Sequence, residues 1–152
     1  MNILFICHGN ICRSPMAEFI MKKIVKDEKL EDKINVYSRA TSSEELGNGL
    51  YPPAARVLDK HGIGYTTHRA KQIVPSDYYT YDYLFYMEDY NLKNIERFFK
   101  DENGKVLKLG VFGLGGADIE DPWYTGNFEL VYMQIYTCCK KLIEFLKEEL
   151  AK

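Results

Sequence analysis

A cysteine, an arginine and a serine near the N-terminus are the residues best suited to chemistry, within the segment Cys7-His8-Gly9-Asn10-Ile11-Cys12-Arg13-Ser14. A thiolate is a strong nucleophile, and a helix N-terminus with a nearby guanidinium stabilises it. The guanidinium of Arg13 offers a planar fork that binds two phosphoryl oxygens at once. The Ser14 hydroxyl could donate a hydrogen bond to the Cys7 sulfur. The segment therefore has the groups needed to attack phosphorus and to hold a phosphoryl group.

The sequence on either side predicts a strand, a tight loop and a helix start. An apolar run at 3–6 precedes the loop, Ser14 is a suitable N-cap, and Pro15 suits the first helical position. Backbone N–H groups of such a loop converge on one point, where the helix dipole adds positive potential. Gly9 allows close approach of the backbone, and Asn10 tolerates a left-handed conformation that turns N–H groups inward. We expect an anion site between strand 1 and helix 1.

Strand patterns and helix patterns alternate along the rest of the chain. The strand patterns cover residues 3–6, 34–38, 83–87 and 106–109. The helical patterns begin at Pro15, Pro52, Asp89 and Asn127, the third running to about Phe99 and the last to the end of the sequence. This alternation predicts an α/β fold, a four-stranded parallel sheet flanked by helices on both faces in three α/β/α layers. With no linker in sight, residues 1–152 are expected to form a single domain.

Composition excludes several classes of partner. Twenty basic and 22 acidic residues give a formal charge of −2 without long runs of either sign, so we expect no nucleic-acid partner. No stretch is long and apolar enough for a membrane span, and the N-terminus lacks the basic region of a signal peptide, so a cytoplasmic protein is expected. The four cysteines lack the spacing of a metal site and are expected to be free thiols. We predict a monomer without metal or cofactor.

A second group of acidic residues lies in the aperiodic segment 118–124, which is predicted to be a loop. In a parallel sheet the loops after all strands emerge at one edge, so this segment is expected to face Cys7. A thiolate that displaces an oxygen leaving group needs a general acid. Asp121 is the candidate, and Asp118 and Glu120 are alternatives that composition cannot rank.

Together the two segments resemble the low-molecular-weight protein tyrosine phosphatase family. The motifs are Cys-x-Gly-Asn-Ile-Cys-Arg-Ser at the end of the first strand and Asp121-Pro122 followed by Trp123 and Tyr124 before the last helix. The two aromatic residues would line a slot suited to an aromatic ring. The resemblance covers nearly the whole chain. It implies a cysteine-dependent phosphatase that hydrolyses phosphotyrosine in protein substrates and releases inorganic phosphate.

The resemblance also implies a role for each residue of the site. Cys7 would be the nucleophile, Arg13 the phosphate clamp, and Asp121 the general acid and then base. Further residues would bind the phosphoryl group or the substrate: His8, Gly9, Asn10, Ile11, Cys12, Ser14, Trp123 and Tyr124.

Supporting roles follow from the same resemblance. Ser38 and His68 occupy positions that support the loop through Asn10. Cys12 matches a cysteine that can form a reversible disulfide with the nucleophile under oxidation. An acidic position before the third helix, Asp89 or else Glu88, has no assigned role.

Related functions remain open beside this one. A thioredoxin-coupled arsenate reductase of the same fold needs two further cysteines in mid-chain, and none occurs between Cys12 and Cys138. A protein arginine phosphatase tends to carry threonine where Ile11 stands. A phosphate-binding module without turnover is the non-enzymatic alternative. His8 after the nucleophile and Trp123 in place of a tyrosine leave the substrate preference open.

Overall fold

The computed structural model describes residues 1–152. Its four strands form one parallel sheet in the order β2-β1-β3-β4. The strands are β1 (Asn2–Cys7), β2 (Asn35–Ala40), β3 (Tyr83–Tyr86) and β4 (Val106–Lys108). The predicted parallel sheet is confirmed, and each strand lies where the sequence placed it, with its ends moved by at most two residues.

Six helices connect and cover the strands. They are α1 (Arg13–Asp27), α2 (Pro52–Lys60), α3 (Asp77–Thr80), α4 (Asp89–Ile95), α5 (Pro122–Thr125) and α6 (Phe128–Leu150). None of them has the length and apolar character that crossing a lipid bilayer requires. The third long helix is shorter than predicted, since α4 ends at Ile95 and not at Phe99.

Two local predictions are wrong. Ser14 is not the N-cap of α1, because the helix begins at Arg13 and Cys12 holds the cap position without a side-chain cap bond. Ser14 lies in the first turn, where its hydroxyl contacts Cys7. The segment after Asp121 is not all loop, because Pro122 starts the short helix α5, whose cap is the Asp121 carboxylate. Proline at the first helical position and aspartate at the cap favour such a turn.

Alternation along β1 directs its side chains to two cores. Ile3 and Phe5 pack among residues of α1, α2 and α6 on one face of the sheet. Leu4 and Ile6 pack on the other face with residues of α3 and α4, including Tyr78 and Ile95. Because successive side chains of a strand point to opposite faces, a fully apolar β1 requires this cover on both sides. The predicted three-layer α/β/α arrangement is confirmed.

The order in which strands are added to the sheet changes direction at β1. From β1 the chain passes through α1 to β2 on one side, and later enters β3 and β4 on the other side. In this register Cys7 at the end of β1 is paired with Ala40 of β2, and Ile6 with Tyr86 of β3. Open α/β sheets bind ligands in the crevice at such a point, outside the carboxyl ends of the strands. The fold therefore places Cys7 at the bottom of that crevice.

We predict that Gly110→Ala destabilises the turn that follows β4. A Cβ at Gly110 would lie 1.9 Å from the carbonyl oxygen of Ala117, so the backbone would have to move. Overpacking of this kind costs about 1–3 kcal/mol, and each kcal/mol lowers the melting temperature of a domain this size by about 2–4 °C. Thermal unfolding should show this decrease. The matched variant Gly64→Ala, at an open position, should melt within about 2 °C of the wild type. Equal melting temperatures for both variants would contradict the close approach.

Candidate active site

The loop between β1 and α1 wraps around the sulfur of Cys7. Asn10 has a φ of 59°, the left-handed conformation that the sequence predicted for this position. Its backbone N–H points inward and donates to Cys7 Sγ at 3.3 Å. A non-glycine residue in this conformation is uncommon and must be held by its surroundings.

The side chain of Asn10 supplies that support. It is fully buried, and its Nδ2 donates to Ser14 Oγ at 2.8 Å and to Ser38 Oγ at 2.9 Å. Its Oδ1 accepts from the backbone N–H of Lys71 at 3.1 Å. Ser38 in turn donates to Glu18 Oε1 at 2.6 Å. Glu18 was missed by the sequence analysis, although its place one turn after Ser14 on α1 could have indicated it.

Ser14 connects this network to the nucleophile. Its Oγ lies 3.0 Å from Cys7 Sγ. Because Ser14 Oγ already accepts from Asn10, its own proton is available to the sulfur, and the other acceptor in reach, the carbonyl of Arg39, is farther away at 3.5 Å. The Cys7 sulfur therefore has two donors, one hydroxyl and one backbone N–H, as a stabilised thiolate requires.

His68 holds the loop from the other end. Its Nε2 lies 2.6 Å from the backbone carbonyl of Asn10. A carbonyl can only accept, so Nε2 carries the proton in this contact. The ring also packs edge-on against Phe19 of α1, with centroids 6.4 Å apart. Ser38 and His68 thus lie where loop-supporting residues were expected.

Arg13 is the buried cation of the site. Its side chain is 2% exposed, and it donates through Nη1 to the carbonyl of Ile119 at 2.9 Å and through Nη2 to Glu88 at 3.0 Å. The carboxylate of Asp121 lies 3.5 Å from Nη2. Burial acts to lower the pKa of Arg13, but the nearby charges of Cys7, Glu88 and Asp121 outweigh it and raise the pKa. The guanidinium therefore stays charged, and its five N–H donors leave some for phosphoryl oxygens.

The sequence favours Asp89 over Glu88 as the acidic position at the start of α4. The structure instead places Glu88 at the site, because Glu88 accepts from Arg13. Asp89 instead pairs with Lys108 at 3.0 Å. Glu88 comes two residues after β3, the strand next to β1, and this position was the signal that could have ranked the two acids.

The structure also ranks the three acids of the later segment. Asp121 lines the cleft above Cys7. Asp118 pairs with Lys108 at 2.7 Å, and this hydrogen bond lowers the pKa of Asp118. Glu120 is exposed and does not line the cleft. Of the three acids, only Asp121 lines the cleft that contains Cys7.

The cleft over the loop has a volume of about 400 Å³. It is lined by Cys7, His8, Gly9, Ile11, Cys12, Arg13, Glu44, Glu45, Glu88, Tyr90, Asp121, Trp123 and Tyr124. Of the residues expected to bind phosphate or substrate, Asn10 and Ser14 are fully buried and do not line it. Their side chains lie behind the loop, where they fix its shape.

The walls of the cleft include Glu44 and Tyr90, which the sequence did not indicate. His8 donates through Nε2 to Glu44 at 3.1 Å and lies beside Tyr90, with ring centroids 6.3 Å apart. Trp123 packs against Tyr51, with centroids 4.9 Å apart. Tyr51 directly precedes α2, so α2 supports the aromatic wall that α5 presents.

The second cysteine of the loop is buried and neutral. Cys12 is 6% exposed, and burial, followed by the neighbouring Cys7, raises its pKa well above the ordinary range. Cys138 and Cys139 lie in α6 and are also buried, with pKa values raised by burial. None of the three is set up as a rival nucleophile, since the thiolate is the reactive form.

The family model for low molecular weight phosphotyrosine protein phosphatase matches residues 2–152. The chain belongs to this family. It is 43% identical over 155 residues to the low molecular weight phosphotyrosine protein phosphatase of Gallus gallus, with 94% of each sequence covered.

Solved structures of the phosphatase fold agree. The crystal structure of YfkJ from Bacillus subtilis matches with a TM-score of 0.94 at 32% identity, covering 98% of this chain and 96% of that one. The crystal structure of DARP, Drosophila arginine phosphatase, matches with a TM-score of 0.86 at 30% identity, covering 97% and 98%. The family inferred from the two motifs and the fold predicted from the alternation of strands and helices are confirmed.

We predict that Asn10→Gly and Asn10→Ala separate the two contributions of Asn10. Both variants lose the side-chain hydrogen bonds, worth about 0.5–1.5 kcal/mol each, so both should bind inorganic phosphate more weakly by calorimetry. Only alanine also strains the left-handed backbone, by roughly 1–2 kcal/mol. Chemical denaturation should therefore rank Asn10→Ala below Asn10→Gly. Equal stability of the two variants would show that the fold does not hold this conformation.

Proposed function

We propose that this member of the phosphatase family hydrolyses phosphotyrosine in protein substrates through a phosphocysteine intermediate. One observation carries the proposal: Cys7 Sγ has two hydrogen-bond donors at the bottom of a cleft that also presents the buried Arg13 and the carboxyl group of Asp121. Nucleophile, phosphate clamp and acid thus share one cavity. The aromatic residues Trp123 and Tyr124 form a wall suited to a phenol ring.

In the first step the Cys7 thiolate attacks phosphorus in line with the leaving oxygen. A sulfur–phosphorus bond forms and the phosphorus–oxygen bond to tyrosine breaks. Arg13 and the loop N–H groups hold the equatorial oxygens, where negative charge spreads in the transition state. Asp121 gives its proton to the phenolate oxygen, so that tyrosine leaves neutral.

In the second step the Asp121 carboxylate takes a proton from water, and the resulting hydroxide attacks phosphorus. The sulfur–phosphorus bond breaks, and inorganic phosphate is released. The thiolate leaves well because Ser14 and the Asn10 N–H donate to it. Asp121 is protonated again and the cycle can restart.

The substrate class follows from the lining of the cleft. The same groups could cleave phosphoarginine, and one structural relative is named an arginine phosphatase. Ile11 gives the loop an apolar contact surface in the cleft, which favours an aromatic ring over a guanidinium. We therefore rank phosphotyrosine first and keep phosphoarginine as the second candidate.

Three further assignments belong to the proposal. The protein is expected to act in the cytoplasm and as a monomer, as the sequence analysis predicted. Cys12 would form a reversible disulfide with Cys7 under oxidation and so prevent irreversible loss of the nucleophile. In support, both cysteines lie in the same loop and line the same cleft.

Phosphate release from a phosphotyrosine peptide tests the reaction. We expect turnover in mildly acidic buffer with a chelator present, and none for Cys7→Ser, which should still bind phosphate. Cys138→Ser, a matched change far from the cleft, should retain activity. A phosphoarginine substrate is measured alongside. Preference for phosphoarginine would keep the mechanism and change the substrate class, while binding without turnover of either substrate would make the chain a phosphate-binding module.

We predict that Asp121→Asn slows turnover of phosphotyrosine by about 10²–10⁴-fold, the usual contribution of general acid catalysis. The neighbouring variant Glu120→Gln is the control, because Glu120 is exposed, and its rate should stay within about twofold of the wild type. Steady-state kinetics with the same peptide give both values. If Glu120→Gln shows the large loss of rate and Asp121→Asn does not, Glu120 is the general acid.

A further inference from the structure

A lysine outside the cleft joins two acidic residues that the proposed mechanism does not use. Lys108 is the last residue of β4, and its side chain is 12% exposed. Its Nζ lies 2.7 Å from Asp118 Oδ1 and 3.0 Å from Asp89 Oδ1. Asp118 Oδ1 also accepts from the backbone N–H of Asp89 at 3.2 Å. The three residues form a closed group through two side-chain ion pairs and this backbone hydrogen bond, and we name it the Lys108 bridge.

The Lys108 bridge contacts two segments that also bind the catalytic arginine. Asp118 directly precedes Ile119, whose carbonyl accepts from Arg13. Asp89 directly follows Glu88, which accepts from the other end of the same guanidinium. The Lys108 ammonium group therefore connects the two backbone segments that bind Arg13.

The charges of the bridge are mutually stabilised. Burial acts to lower the pKa of Lys108, but the hydrogen bonds to Asp118 and Asp89 outweigh it and raise the pKa. The bond from Lys108 likewise lowers the pKa of Asp118. Without the ammonium, two carboxylates would face each other with no cation between them, and like charges repel. The bond from the backbone N–H of Asp89 would then be the remaining hydrogen bond of the Asp118 side chain.

The segment before Asp121 is held by a few separate contacts. Residues 117–121 contain no helix or strand. The side chain of Ile119 is fully buried in the core, and its backbone N–H donates to the carbonyl of Met87 at 2.9 Å. Asp118 is held by Lys108 and by the backbone N–H of Asp89. Next to Asp121 the segment is tied to the site through Arg13.

We propose that Lys108 is a positioning residue for the reaction, holding segment 117–121 so that Asp121 reaches the leaving oxygen. This inference rests on the proposed function, because it requires Asp121 to be the general acid. Lys108 touches no reacting atom and acts through Asp118. A shift of about 1 Å in a positioned group can cost up to about 10²-fold in rate.

The test uses two aryl phosphates that differ in their need for an acid. Phenol leaves poorly and needs the proton of Asp121, whereas a nitrophenolate needs it far less. For Lys108→Met we expect kcat/KM for phenyl phosphate to fall about tenfold and that for nitrophenyl phosphate to change by no more than about twofold. Lys108→Arg, which keeps the charge, should restore most of the loss.

Lys147→Met is the matched control. Lys147 also lies between two carboxylates, Glu28 at 2.8 Å and Glu144 at 3.5 Å, but at the far end of α6. Its loss should leave both substrates unaffected. If Lys108→Met does not fold, as judged by circular dichroism, Asp118→Ala carries the test, because alanine removes the acceptor that Lys108 contacts in the 117–121 segment.

A double variant shows whether Lys108 acts through Asp121. In an Asp121→Asn background, Lys108→Met should cause no further loss with phenyl phosphate. An equal loss for both substrates, or a full further loss in that background, would overturn the positioning role. Failure of the wild type to turn over either aryl phosphate would instead contradict the proposed function.

Discussion

The buried guanidinium of Arg13 is the interaction on which the rest of the site depends. Taking a charge out of water is costly unless neighbouring groups compensate for it. Here the compensation comes from Ile119, Glu88 and Asp121, which follow two different strands. Since all strands are parallel, their carboxyl ends meet at one edge, and the arginine can collect partners from each of them. The cation proposed to hold phosphate is thus also the residue that assembles the site.

Different kinds of interaction stabilise the two sides of the crevice. On the β2 side, neutral hydrogen bonds from Asn10 and Ser14 fix the sulfur and the strained loop. On the β3 and β4 side, ion pairs fix Arg13 and the segment of Asp121, with Lys108 behind them. Hydrogen-bond networks determine geometry closely, as a nucleophile requires.

The sequence predicted what local patterns determine. Alternation and apolar runs located the four strands, and residue types alone indicated Cys7, Arg13 and the left-handed Asn10. Prediction from the sequence failed where the local pattern fits two different roles for one residue. Ser14 fits both a cap and a thiolate partner, and only the tightness of the loop decides between them.

Other features of the site could not be predicted because they depend on contacts between residues far apart in the sequence. Glu88 and Asp89 are neighbours of similar chemistry, and the choice between them depends on which one faces Arg13 across the sheet edge. The place of Lys108 depends on its pairing with Tyr86 in β3, a register that no local pattern encodes.

Carboxylates outnumber fixed cations around the cleft, with Glu44, Glu45, Glu88 and Asp121 against Arg13. Long-range attraction therefore contributes little to binding a phosphate ester, and short N–H contacts must supply the affinity.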